Sequence, residues 1–241
     1  MLLDMTAPPA RAAVEAIRNG DAPALQALLI THPGLAGARL GDAKTARTLL
    51  HVATDWPGHY PGGPHTVTTL VAAGADVNAR FTGPHRETPL HWAASTDDVP
   101  VLDVLLDLGA DIEADGAVIG GGTPIADAVA FGQWNAARRL LERGARTSLW
   151  QAAALGAADR VAAWFPPRAE PPGRDDITNA LWCACHGGQQ RTAAHLLERG
   201  GDVNWIGHDG LTPLDAARRS GHTDLAAWLR AQGAKPAEDL A

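Results

Sequence analysis

The stretch Thr88-Pro89-Leu90-His91-Trp92-Ala93-Ala94 has the pattern of a helix start. Threonine is a favoured N-cap residue, and proline is well tolerated at the first helical position because the N–H group that it lacks would have no partner there. Apolar residues then follow at helical spacing, and two alanines allow a neighbouring helix to approach closely. The stretch therefore predicts a short helix that is packed tightly on at least one side.

Related stretches recur along the chain, beginning at Thr48, Thr123 and Thr212. A second phrase follows, in which a leucine pair precedes two variable residues, a glycine and a small residue, as at 105–110. The glycine can adopt the left-handed conformation that ends a helix. Two phrases that recur in register predict helix–turn–helix repeats, each of which must stack on its neighbours to bury its apolar face.

The first phrase resembles the Thr-Pro-Leu-His-x-Ala signature of ankyrin repeats, and a period near 33 residues fits that family. The resemblance covers roughly residues 7 to 235. It implies an all-α ankyrin-type solenoid, a single domain over 1–241, of about seven repeats with short hairpin-like fingers. The predicted bounds are 7–41 for an N-terminal cap unit, then 48–80, 88–115, 123–145, a degenerate unit at 147–175, 179–204 and 212–235, with a tail at 236–241.

Composition narrows the possible partners and location. The formal net charge of −7 and a pI near 5.7 indicate that nucleic acid is not the partner, because no basic field attracts phosphate. No stretch approaches the roughly 20 apolar residues of a membrane span, so we expect no membrane. Cys183 and Cys185 are too close for an ordinary disulfide, which favours a cytoplasmic location. Cys183-x-Cys185-His186 also lacks the spacing of a zinc knuckle, so no metal and no cofactor are predicted.

Three departures from the repeat indicate where function concentrates. Residues 55–65 form an insertion rich in proline, glycine and histidine, which is a candidate lid. The step from Thr123 to Thr147 is only 24 residues, which predicts a shortened finger and a notch beside it. The proline-rich stretch 166–174 predicts a surface loop.

The residue after the histidine position of each repeat, and the residue four later, share a helix face that we expect to line a concave groove. Asp127 is unusual at this position, which the family generally fills with an apolar residue. The candidate catalytic residues are Asp127, Asp55, His59, His85 and His186. The candidate binding residues are Trp56, Trp92, Phe131, Trp134, Trp150 and Trp182.

Several of these side chains also have a structural interpretation. His51 and His91 occupy the histidine position to which the resemblance assigns a loop-tying role. Trp150 and Trp182 align with the same position, so packing competes with ligand contact for both. Trp164 is predicted to be core, because it lies on the second helix of its repeat.

Two functions remain open from the sequence. The first is a binding module that recognises a protein partner through the groove and the fingers, since tryptophan and arginine dominate interface energetics. The alternative is a small-molecule-binding protein or an acid/base enzyme of the isomerase, lyase or cyclase type, with a pocket closed by the 55–65 loop. In that hypothesis Asp127 exchanges protons with His59, His85 or His186. We favour the binding module, because no recognisable catalytic set is present.

Overall fold

The computed structural model describes residues 1–167 and 170–240. Arg168 and Ala169 of the predicted proline-rich loop, and Ala241 of the predicted tail, lie outside the described residues. The fold is the predicted all-α ankyrin-type solenoid, and its described part forms two compact units, residues 1–145 and residues 146–241. That the whole chain makes a single domain stays a prediction.

The first unit, which is described throughout, consists of four helix pairs. Its helices are α1 (Pro8–Asn19), α2 (Ala22–Thr31), α3 (Leu49–Thr54), α4 (Gly63–Ala72), α5 (Pro89–Ser95), α6 (Val99–Asp107), α7 (Pro124–Ala130) and α8 (Trp134–Glu142). The first helices of successive pairs pack on one another, as do the second helices. Fully buried leucines such as Leu90, Leu105 and Leu140 fill the space between the two rows.

The second unit continues the pattern with shorter and longer variants of the pair. Its helices are α9 (Leu149–Ala154), α10 (Ala158–Ala162), α11 (Arg174–His186), α12 (Gln190–Glu198), α13 (Pro213–Arg219) and α14 (Thr223–Ala231). One apolar cluster runs through the unit from Leu149 to Ala234, and the side chain of Trp228 packs against it. Short 3-10 turns occur at His208–Gly210 and Ala237–Asp239.

A small sheet accompanies the helices at the beginning of the chain. Strand β1 (Leu2–Leu3) pairs in parallel with β2 (Arg39–Gly41), which pairs antiparallel with β3 (Ala46–Thr48). The β2–β3 pair is a finger with true hairpin hydrogen bonding. A single bridge from Ala46 to Thr82 joins it to the next finger.

The histidines of the signature tie each helix start to the following finger. The Thr88 N–H donates to His91 Nδ1 at 3.1 Å, so Nε2 carries the ring proton and donates to the Gly122 carbonyl at 3.3 Å. His51 makes the same pair of contacts, with its Nε2 donating to the carbonyl of Glu87. Burial lowers the pKa of His51 to about 3 and that of His91 to about 4, so both rings are neutral at pH 7 and serve as structural links.

The degenerate repeat differs from its sequence alignment in one respect. Its cap is Ser148 rather than Thr147, and Gln151 makes the reciprocal bond, with its Oε1 accepting from the Ser148 N–H at 2.8 Å. Gln151 is therefore buried as a capping partner. The aligned pattern had predicted that the residue at this position lines an open groove.

Candidate functional site

The predicted groove face is largely a packing face within the first unit. Val52 and Asp127, which occupy the position after the histidine, are fully buried. Trp92 at the equivalent position is partly exposed, and its ring lies 4.9 Å from His51 and 5.5 Å from Phe81 between centroids. The prediction that Asp127 faces the groove is therefore wrong, because neighbouring helices and a finger enclose it.

Asp127 lies in the first turn of α7 and fixes the finger that precedes this helix. Its Oδ1 accepts a hydrogen bond from the Ile119 N–H at 3.2 Å. Its Oδ2 is buried and accepts no hydrogen bond from the residues that the structure describes. The carboxyl group of Glu87 interacts with it from the loop before α5. Glu87 in turn accepts a hydrogen bond from Trp92 Nε1 to its Oε2 at 3.1 Å.

Both carboxyl groups hold a proton more tightly than an exposed carboxyl group does, chiefly because they are buried. Burial raises the pKa of Asp127 to about 7, and the neighbouring Glu87 charge adds to the increase. Burial also raises the pKa of Glu87, against the lowering effect of the Trp92 hydrogen bond. Two adjacent buried carboxylates do not ionise independently. One shared proton removes the repulsion between the two groups.

Of the other titratable candidates of the first unit, His85 interacts with the acidic pair, whereas Asp55 forms ion pairs elsewhere. His85 lies close enough for its charge to lower the pKa of Glu87. Asp55 instead forms ion pairs with Arg47 at 2.5 Å and with Arg18 at 3.8 Å. An aspartate held between two arginines is a structural ion pair, so His85, and not Asp55, is the candidate that interacts with Glu87.

The inserted loop is attached to the far end of α5. The His59 N–H donates to Asp98 Oδ2 at 2.8 Å, and His59 Nε2 lies 3.0 Å from the Thr96 carbonyl. Both partners follow the C-terminal end of α5, whereas Glu87 and Asp127 lie at helix starts. A seven-residue helix is about 10 Å long, so the loop contacts a different end of the repeat from the acidic pair. The loop does not act as the predicted lid over Asp127, and Trp56 on it is exposed.

The remaining aromatic candidates fall into exposed and packed groups. In the first unit Phe131 is exposed at the end of α7, and Trp134 is partly exposed at the start of α8. In the second unit Trp150 packs against the apolar core, and Trp182 is buried with its Nε1 donating to the Leu211 carbonyl at 2.9 Å. Trp182 is therefore part of the packing of its own unit.

His186, the last titratable candidate, belongs to the second unit. Its Nδ1 lies 3.0 Å from Ser220 Oγ, and its ring centroid lies 5.6 Å from that of Trp182. Its carbonyl accepts from His222 Nε2 at 3.2 Å. These contacts give the ring a packing and hydrogen-bonding role within its own unit.

Asp127 supports a finger that we call the third finger (residues 111–122), whose apolar tip sequence reasoning missed. Its turn is closed by hydrogen bonds from the Gly116 and Ala117 N–H groups to the carbonyls of Gly121 and Gly122, both at 2.9 Å. Val118 and Ile119 stand at its tip with 39% and 38% of their surfaces exposed. Two β-branched apolar residues between glycines were the available signal, since most turn residues are polar or glycine.

The described residues hold no group of three or more His, Cys, Asp or Glu side chains placed to bind a metal ion. Cys183 and Cys185 are free, buried thiols, and burial raises the pKa of Cys183 to about 12, which keeps it protonated. In the same described part of the chain, every helix is too short or too polar to span a bilayer.

Known proteins resemble the chain in its repeats. The family model for ankyrin repeats (3 copies) matches residues 58–150 and 149–238. An ankyrin repeat and KH domain-containing protein of Caenorhabditis briggsae is 29% identical over 181 residues, which is 72% of this chain and 7% of that protein. The ankyrin repeat and KH domain-containing protein mask-1 of Caenorhabditis elegans is 28% identical over 171 residues, 70% of this chain and 6% of its own length. The chain thus spans a small fraction of these relatives, and the matched repeats show that it belongs to the ankyrin repeat family.

Proposed function

We propose that the chain is a protein-binding module and that the third finger is its recognition surface. The observation that carries this proposal is the exposure of Val118 and Ile119 on a finger that a buried carboxyl group holds in place. Apolar side chains at an exposed tip lower solubility unless a partner covers them. Phe131, which follows the last residue of α7, is a further exposed apolar side chain of the first unit.

The rigidity of the finger supports the same function. Hydrogen bonds close the turn from within, Asp127 fixes the Ile119 N–H, and His91 Nε2 donates to the Gly122 carbonyl. A surface that is already ordered loses little conformational entropy when a partner binds, so more of the contact energy appears as affinity. The small-molecule alternative lacks such support, since Asp127, the centre of its pocket, is fully buried.

Photo-crosslinking in cells that express the chain tests this function. A benzophenone amino acid replaces Val118 in one variant and Ile30 in the other. Ile30 is the matched control, because it is an exposed apolar residue on α2, the second helix of its pair. We expect a protein that crosslinks to position 118 and not to position 30, identified by mass spectrometry. Equal crosslinking at both positions would contradict the proposal.

The crosslinked protein then allows a binding measurement. We expect the double change Val118→Asp and Ile119→Asp to weaken its binding at least tenfold, about 1.4 kcal/mol, because charged tips cannot enter an apolar contact. The change Ile30→Asp should leave affinity within about twofold, which corresponds to less than 0.5 kcal/mol on the same scale. An equal loss in both variants would assign binding to another surface.

A further inference from the structure

We infer that the inserted loop is a second binding surface, which holds a proline-rich segment of a partner protein in the extended polyproline II conformation. This surface is separate from the third finger and does not rest on the proposed function. The inference follows from the length of the loop, from the contacts that hold it in place, and from the side chains that it presents to solvent.

The connection between the helices of the second pair is longer than its later counterparts. Residues 55–62 join α3 to α4, whereas three residues join the helices in each of the five later pairs of the described chain. A three-residue turn is therefore enough to reverse the chain, and the additional residues are not needed for stacking. An insertion that the repeat does not require indicates a function of its own, because loops on a rigid scaffold commonly carry the binding residues.

Contacts with the following repeat hold the loop in one position. The His59 N–H donates to Asp98 Oδ2 at 2.8 Å, and the ring Nε2 lies 3.0 Å from the Thr96 carbonyl. Gly58 is packed so closely on Thr96 that a β-carbon at this glycine would lie 2.8 Å from that side chain. His59 has a φ of 57°, a conformation that a residue other than glycine keeps only where surrounding contacts impose it.

The preceding repeat supports the other side of the loop. Gly20, between α1 and α2, lies so close to Pro61 that a β-carbon at this glycine would overlap the Pro61 carbonyl oxygen. Asp55 forms its ion pairs with Arg18 of α1 and with Arg47 of β3. The loop is thus held by both neighbouring repeats, and an ordered surface loses little conformational entropy when a partner binds.

The loop exposes aromatic and proline side chains. Trp56 is 79% exposed, although tryptophan is mostly buried in folded proteins, so its ring and its indole N–H are open to a partner. Pro57 beside it is exposed as well. The Tyr60 hydroxyl donates to the Trp56 carbonyl at 3.4 Å, which brings a second aromatic residue to the Trp56 backbone. Tryptophan and tyrosine on a rigid support are the residue types that most often anchor a protein interface.

The chemistry of this surface selects the partner. A polyproline II segment makes no internal hydrogen bonds, so its backbone carbonyls remain available to the indole N–H. Its flat proline rings pack on aromatic side chains, which is how proline-rich segments are recognised. Other modes of peptide recognition fit less well. Residues 55–62 contain no strand that a peptide could extend, and Asp55 offsets the charge of Arg18 and Arg47 that a phosphorylated peptide would need.

A fluorescein-labelled peptide of about ten prolines is the probe, because it forms the polyproline II helix without a partner. Its binding to the full chain is followed by fluorescence anisotropy. We expect Trp56→Ala to weaken binding at least about tenfold, and Tyr60→Ala at least about threefold, since both rings contact the peptide. Trp56→Phe keeps a ring without the N–H, so its loss should lie between that of Trp56→Ala and none. Circular dichroism of each variant should match that of the unchanged chain.

The matched control is Trp164→Ala, which removes another exposed tryptophan, 44% exposed, from the second unit. It should bind the proline peptide within about twofold of the unchanged chain. An equal loss at Trp56 and Trp164 would overturn the inference, because binding would then follow any exposed indole. A peptide of alternating leucine and serine tests the partner class. If it binds as tightly as the proline peptide, any apolar segment suffices and the inference is wrong.

The two surfaces are tested separately. The double change Val118→Asp and Ile119→Asp should leave binding of the proline peptide within about twofold, whatever the crosslinking at position 118 shows. Loss of the proline peptide in this variant would make the loop and the third finger parts of one site and would overturn the inference of a separate surface. Failure of the crosslinking experiment alone removes the third finger as a recognition surface and leaves the loop unaffected.

Discussion

The free energy of unfolding should fall as the pH rises from about 4 to about 7, and Asp127→Asn should remove most of that fall. The pKa of the Asp127 carboxyl is about 7 in the folded chain against an ordinary value of 3.8. Between these values the folded state holds a proton that the unfolded state has released, so raising the pH favours unfolding. Above about pH 7 the carboxyl group is ionised in both states, so the free energy of unfolding falls no further on its account.

The magnitude follows from the same pair of values. Each pH unit in this window costs about 1.4 kcal/mol per group, which sets an upper limit of about 4 kcal/mol for Asp127. Relaxation and water penetration reduce it, so we expect a fall of roughly 2–3 kcal/mol between pH 4.5 and pH 8. Urea denaturation at both values, followed by far-ultraviolet circular dichroism, measures it.

Asparagine reproduces the protonated form of the aspartate. Its amide oxygen can accept from the Ile119 N–H, and its amide N–H can donate to Glu87 as the shared proton does. Asp127→Asn should therefore be as stable as the unchanged chain at pH 4.5 and about 2–3 kcal/mol more stable at pH 8. Asp115→Asn, at an exposed position, is the control and should keep the original pH dependence. Parallel curves for the Asp127→Asn and unchanged chains would mean that Asp127 is already ionised at pH 4.5.

Sequence reasoning identified Asp127 as the unusual residue but did not place Glu87 beside it. Its identity departs from a local pattern, and local patterns are readable in a single sequence. Its burial depends on Glu87, which lies 40 residues earlier, and on a finger whose turn folds back onto α7. No periodicity relates these positions, so the acidic pair appears only when the repeats are stacked.

The fold was predictable because the contacts that specify it are local in the sequence. Thr88, His91 and the following alanines act within one helix start and its next finger, and the same local solution recurs at Thr48 and Thr212. A repeat whose contacts are mostly with its neighbours is specified by its own sequence. The prediction of a lid failed because it depended on a contact between repeats. The inserted loop is held by the next repeat, where the His59 N–H donates to Asp98.

Trp182→Ala should destabilise the second unit by about 3–5 kcal/mol, the usual range for loss of a buried tryptophan. Its ring is only 4% exposed, its centroid lies 5.0 Å from that of His208, and its N–H donates to the Leu211 carbonyl. Alanine leaves a cavity and an unpartnered carbonyl, and both destabilise the folded state. The sequence placed Trp182 among the binding residues because the finger that covers it starts about 20 residues later.

Trp164→Ala should cost less than about 1 kcal/mol, the reverse of the sequence prediction that this ring is core. Val161, Trp164 and Phe165 are spaced so that either aromatic ring could follow Val161 on a helix face. The helix α10 ends at Ala162, and the prolines at 166–167 disfavour its continuation. Trp164 consequently remains 44% exposed, while Phe165 packs on the core, 5.7 Å from the His195 ring. Urea unfolding of both tryptophan variants measures the contrast, and a cost at Trp164 equal to that at Trp182 would show that the chain after α10 turns the other ring inward.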